Sequence, residues 1–177
     1  MEVIEAIHSR RSVRAYTDRP VDRRLIEDLI WDAAQAPPPF GGEVPWTFNV
    51  IRGAERIAHF GEQARDLARA RRADAGADTW VDREEFKVFW NAPVVVIISG
   101  RVEDCCRAGQ LLILAAHGRG LGACWVGAPM AWLREPAVKA EIGIPANLTP
   151  VSAICLGYPA TVPEALERAR PTVIWCG

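Results

Sequence analysis

The segment Pro93–Ser99, PVVVIIS, constrains the fold more than any other stretch of the chain. A run of β-branched residues with no polar alternation has no solvent face, so it reads as a strand buried on both sides of a sheet. Such a strand needs an apolar layer above and below, and the neighbouring segments can supply both. Leu25, Ile26, Leu29, Ile30 and Ala33 recur at helical spacing, after Asp22 as a potential cap. That pattern stops at Pro37-Pro38-Pro39, where ring sterics forbid a helix. The spacing also predicts helices over Glu2–Ser9, Ala54–Arg72, around Asp82–Trp90, Val102–Arg119 and Ala131–Ile142. The stretch Leu111–Ala116 is continuously apolar and is expected to be buried nearly all round. Trp46–Arg52, Ala123–Val126 and Pro150–Gly157 read as further strands. Helices and strands intermingle without repeat or linker, which points to one α+β domain over residues 1–177, a sheet sandwiched by helices. The apolar terminal arms have little to support them within the chain and are expected to pack on another subunit.

Composition removes several function classes. The formal net charge of −1 provides no global field for nucleic acid or an anionic membrane. No apolar run is long enough to span a bilayer. The opening MEVIEAIHSRRS places acidic residues before a short amphipathic stretch, the reverse of a signal peptide, so a cytoplasmic location is expected. The five cysteines, Cys105, Cys106, Cys124, Cys155 and Cys176, show no CxxC spacing, and His8, His59 and His117 are scattered. No metal site is expected, and the cysteines read mostly as small buried apolar residues. Of the 21 basic residues 19 are Arg, so a single Arg carries less weight as an anion ligand here than usual.

Four clusters remain as candidates for chemistry. Arg10-Arg11-Ser12-Val13-Arg14 gathers guanidiniums and a hydroxyl that can hold a phosphate by charge-assisted bonds; the alternative is a solvated basic loop after a helix. Arg168 and Arg170 alternate along an extended tail, so both can face one anion, or both can face water. Gly118–Ala128, GRGLGACWVGA, allows a backbone to approach a planar ligand closely, or simply ends a helix and turns the chain. Its glycines follow a helix rather than a strand, which rules out a dinucleotide fingerprint. Pro37–Trp46, PPPFGGEVPW, forms a stiff arm with a glycine tip, with Trp46 itself assigned to the core. No GxSxG, HExxH or phosphate-loop signature is present. If the chain is an enzyme, a bound cofactor carries the hard chemistry.

In this order and separation the clusters resemble the nitroreductase family of FMN-dependent oxidoreductases. The resemblance runs from HSRRSVRAY (His8–Tyr16) through PWTF (Pro45–Phe48), NAPVVVII (Asn91–Ile98) and AGQLLILAAHGRGLGACWVGA (Ala108–Ala128) to RARP (Arg168–Pro171), and is weakest between about residues 53 and 90. It implies a three-layer α+β sandwich with a central, mostly antiparallel sheet flanked by helices, assembled as a homodimer with FMN at the subunit interface. It implies that Arg10, Arg11 and Ser12 hold the FMN phosphate and ribityl chain, with Arg168 and Arg170 closing on the phosphate. By the same resemblance Arg14 lies near the flavin pyrimidine, and Val126, Gly127 and Ala128 face its N5 edge. Pro38, Pro39, Phe40, Gly41 and Gly42 reach the ring from the other subunit. The family usually carries an Asn where this chain has Gly42 and a Gln where it has Val44, which removes a side-chain hydrogen bond to the flavin.

The activity implied is transfer of electrons from NADH or NADPH through FMN to a nitroaromatic, quinone or enone by a ping-pong mechanism, with no protein side chain as the catalytic group. Related specialised reactions are dehalogenation, flavin fragmentation and azoline oxidation. A non-catalytic FMN-binding protein is the alternative that Gly42 and Val44 favour. A nucleic-acid binder using the Arg10–Arg24 loop is disfavoured by the acidic balance elsewhere.

Overall fold

The structure, a computed structural model, describes residues 2–38, 46–72, 80–165 and 167–177. Its elements are α1 (Val3–Ser9), α2 (Arg23–Ala33), β1 (Trp46–Arg52), α3 (Ala54–Arg72), β2 (Val94–Gly100), α4 (Val102–Gly118), β3 (Gly122–Val126), α5 (Met130–Leu133), α6 (Pro136–Ile142) and β4 (Pro150–Gly157), with a 3-10 turn at Trp80–Asp82. The strands form one antiparallel sheet in the order β1-β2-β4-β3. As its composition requires, β2 is central, and Val95 to Ile98 are completely buried.

Alternation along the strands divides the core into two layers. Val94, Val96 and Ile98, with Ile154 and Leu156 of β4, face α2 and α4, where Leu29, Cys105, Ala108 and Leu112 meet them. Val95 and Ile97, with Ala153 and Cys155, face the other way onto Ile57, Phe60 and Ala64 of α3, Leu133 of α5 and Val138 of α6. The result is a three-layer sandwich with helices on both faces. Asp22 caps α2 by accepting from the Arg24 amide at 2.8 Å, and Trp46 is buried with the first layer.

Three local expectations are corrected. Residues 82–90 are turns rather than a helix. Trp90 and Asn91 take φ of 54° and 52°, a left-handed pair that no right-handed helix accommodates. The expected helix over 131–142 is two, because Glu135 is extended and Pro136 opens α6 without needing an amide hydrogen. In α4, Leu112, Ile113 and Ala116 are buried but Leu111, Leu114 and Ala115 are only half-buried, so this helix keeps an apolar flank within the single chain.

Among the described residues three glycines, Gly109, Gly122 and Gly157, are required by close approach rather than by turns. A Cβ on Gly122 would lie 2.6 Å from the Val13 side chain, and one on Gly109 would lie 2.5 Å from the Trp125 ring. The first brings residues 12–13 onto the free edge of β3, where the Val13 amide donates to the Ala123 carbonyl at 3.0 Å. Gly120, at φ 77°, is the residue that turns the chain out of α4.

Gly122→Ala is expected to destabilise the protein by about 1–3 kcal/mol through overpacking, and Val13→Ala in the same chain to recover part of that loss, read by urea unfolding. Burial pushes the Cys105 thiol up to about 11 and raises those of Cys124 and Cys155 as well. These three stay protonated and shielded at neutral pH, so alkylation of the native protein is expected to reach the exposed Cys106 well before them.

Candidate functional site

Helix α1 ends at Arg10, whose extended backbone starts the run along the edge of β3. Ser12 forms a parallel bridge to Ala123 and Val13 is buried, which fixes the register of the segment. Alternation then turns Arg10, Ser12 and Arg14 away from the side that holds Val13. The tail returns to the same place. Tyr16 bridges Pro159, the Ala160 amide donates to the Ala15 carbonyl at 2.9 Å, and the chain beyond runs back past α1.

Between these two segments lies a cleft of about 590 Å³, lined by His8, Arg10, Arg11, Ser12 and Arg14 on one wall and by Pro163, Glu164, Ala165 and Arg168 on the other. That volume is within the range of about 300–1,000 Å³ found for small-molecule sites. Four guanidiniums against the single carboxylate of Glu164 make its field strongly positive. A phosphate monoester suits it: two negative charges, and oxygens that accept from forked guanidinium donors and from the Ser12 hydroxyl. Arg11 is partly committed, since its Nη1 donates to the carbonyls of His8 at 2.8 Å and Arg10 at 2.9 Å.

Arg14 leaves the cleft towards the aromatic side of the molecule, with its guanidinium 5.7 Å from the centre of the Trp90 ring. Trp90 stands in the left-handed turn described above. That turn is held by the Cys155 thiol donating to the Phe89 carbonyl at 3.3 Å and by the Ala92 amide donating to the same carbonyl at 2.9 Å. Tyr16, beneath, donates to the Val13 carbonyl at 2.7 Å. Burial, reinforced by Cys155 and Cys124, raises its pKa far beyond the usual phenol range, so it is a fixed neutral donor and not an acid–base group.

Of the residues selected from sequence, Arg10, Arg11, Ser12, Arg14 and Arg168 come together around the cleft. Arg170 is exposed and does not line it. Val126 is buried at the end of β3, and Gly127 and Ala128 begin the turn into α5. A Cβ on Gly127 would meet nothing within 4 Å, so this backbone has open space beside it. Pro38 is exposed at the end of its loop, while Pro39, Phe40, Gly41 and Gly42, together with Val44, lie outside the described residues. Sequence reasoning passed over His8, Glu164 and Trp90. Their local signal was proximity to Arg10 and to Arg168, and Trp90 was one of three aromatics in FKVFWN with nothing to single it out. Among the described residues no cluster of His, Cys, Asp or Glu is suited to a metal ion, and no helix is long and apolar enough to cross a membrane.

Comparison with known proteins gives this arrangement its context. The Nitroreductase family matches residues 7–158. A relative from Methanothermobacter thermautotrophicus, named "Putative NADH dehydrogenase/NAD(P)H nitroreductase", is 38% identical over 173 residues, spanning 97% of this chain and 84% of its own. A nitroreductase from Bacteroides fragilis, solved with bound FMN, superimposes with a TM-score of 0.81 at 25% identity, covering 98% of each chain. An iodotyrosine deiodinase bound to FMN and 3-iodo-L-tyrosine shares the fold with a TM-score of 0.79 at 17% identity, covering 99% of this chain and 100% of its own. The chain therefore belongs to the nitroreductase family.

Proposed function

We propose that the protein is an FMN-dependent oxidoreductase that takes electrons from NADH or NADPH and delivers them to a nitroaromatic, quinone or enone. The observation that carries this reading is the arginine-lined cleft, whose charge and hydroxyl donor match a phosphate monoester. The family supports it, as does the FMN bound by the Bacteroides fragilis protein.

In this reading Arg10, Ser12 and Arg168 bind the FMN phosphate, and Arg11 adds charge while bracing the end of α1. The open backbone at Gly127 and Ala128 takes the edge of the ring. Arg14, steadied over Trp90, provides a countercharge for the pyrimidine end, where positive charge favours the reduced cofactor. When bound, FMN supplies the two-electron redox chemistry. The protein orients the partners and keeps Tyr16 and the buried thiols out of proton transfer. Donor and acceptor use one opening in turn, which makes the kinetics ping-pong.

A homodimer belongs to the same proposal. Val3, Ile4 and Ile7 on α1 are 69%, 67% and 50% exposed, and Ile174 and Trp175 in the tail are 83% and 89% exposed. Apolar arms so open to water gain by covering one another in a second copy. Light scattering is expected to give twice the mass of the chain, and a yellow monomer would contradict the shared site.

Arg10→Ala and Arg168→Ala are each expected to weaken FMN binding by at least about tenfold, the scale of a lost charge-assisted bond. Arg170→Ala is expected to have the smaller effect. Flavin fluorescence titration reads both, and unchanged affinity in the first two removes the phosphate assignment. Anaerobic stopped-flow mixing of the loaded protein with NADH or NADPH is expected to bleach the flavin absorbance, and an acceptor added afterwards to restore it. Flavin that neither nicotinamide bleaches would turn the reading to a non-catalytic FMN carrier.

A further inference from the structure

His117, on the last turn of α4, lies outside the cleft but is tied to it through one residue. Its Nε2 is 2.8 Å from the Ser9 hydroxyl, 108 positions away in the chain, and Ser9 also donates to the Glu5 carbonyl at 2.7 Å. Because the hydroxyl hydrogen is used on Glu5, the oxygen is left to accept from a protonated Nε2 of His117. Ser9 immediately precedes Arg10, Arg11 and Ser12 and follows His8, so the contact pins the residue from which one cleft wall departs. Both the Nε2–H neutral ring and the imidazolium satisfy this bond, so His117 can gain a proton without breaking it.

We propose that His117 is a positioning residue for the phosphate-binding wall and that FMN binding is coupled to proton uptake on its ring. The coupling presupposes the FMN phosphate in this cleft. The charged groups that act on His117 are Arg10, Arg11 and Glu5, with His8 beside Ser9. Arg119, at the C-cap of α4, is already ion-paired with Asp32 of α2. Burial and the two guanidiniums hold the His117 ring below the usual imidazole pKa, with Glu5 acting weakly in the other direction. Without cofactor the ring is therefore neutral at pH 7. A phosphate dianion between Arg10 and Arg168 cancels the guanidinium charge and raises the proton affinity of the ring. By linkage the proton strengthens phosphate binding by the same factor. The contribution is fully present below the lowered pKa of the free protein and is gone above the raised pKa of the loaded one. This acid-side gain opposes the loss that every phosphate site suffers when FMN takes up its own second proton near pH 6.

His117→Gln keeps a donor for Ser9 and removes the charge, whereas His117→Ala removes both. FMN dissociation constants for the wild type and both variants, measured by fluorescence quenching between pH 5.5 and 8.5, provide the test, with riboflavin as the ligand that lacks the phosphate. The ratio of the His117→Gln constant to the wild-type constant is expected to be near one at pH 8.5 and about fivefold at pH 5.5, and flat for riboflavin. His117→Ala is expected to weaken FMN at every pH. In parallel, the His117 proton resonance, assigned by its absence from the Gln variant, is expected to titrate at higher pH with FMN than without. A ratio that stays flat for FMN, with an unmoved titration, overturns the coupling. Equal affinity for FMN and riboflavin would instead mean that the phosphate is not held in this cleft at all, and the two failures are read separately.

Discussion

The candidate site depends on one contact without polar chemistry: Val13 fills the space that a side chain at Gly122 would occupy. Edge strands keep a row of unpaired backbone groups, and β3 is one of the two edges of this sheet. Docking Val13 against Gly122 lets the Val13 amide reach the Ala123 carbonyl and covers part of that edge. Once Val13 points inward, alternation of the extended chain turns Arg10, Ser12 and Arg14 to the other side. The apolar contact therefore aims the basic wall, and the tail, bridged at Tyr16 and Pro159, brings Arg168 opposite.

The positive cleft is built at the expense of local comfort elsewhere. Like charges are gathered in a short segment, and Trp90 and Asn91 adopt a conformation that costs roughly 1–2 kcal/mol per residue. The surroundings overdetermine that turn through the Cys155 thiol, backbone bonds at Phe89 and the Arg14 guanidinium. Strain beside a cationic cleft is the pattern expected where a turn must present a ring rather than merely connect two elements.

Much of the fold was legible because burial leaves an imprint on the sequence. Trp46–Arg52, Ala54–Arg72 and Pro150–Gly157 appear with the bounds read from the sequence, the last as a strand buried almost throughout rather than on one face. Residues 82–90 misled because Phe86, Val88 and Phe89 are apolar for irregular packing, and periodicity cannot distinguish a buried turn from a helix. The split at Pro136 carried a signal, since proline opens helices more readily than it continues them. In the site, the Arg10–Arg14 cluster and Arg168 were visible as charge. Their meeting was implied only by the family resemblance, because it depends on bridges between residues 12 and 123 and between 16 and 159 that no local pattern encodes. The glycines of GRGLGAC were visible as a group, but only the structure separates Gly120, needed for its backbone angle, from Gly122, needed for its missing side chain.

Everything in the proposed activity rests on FMN being held in the arginine cleft. The most direct measurement is the visible absorption spectrum of the freshly purified protein, with the mass of the compound that a denaturant releases. A flavin spectrum and the mass of FMN are expected, at one cofactor per chain. A protein that is colourless as isolated and remains so after incubation with FMN would contradict it.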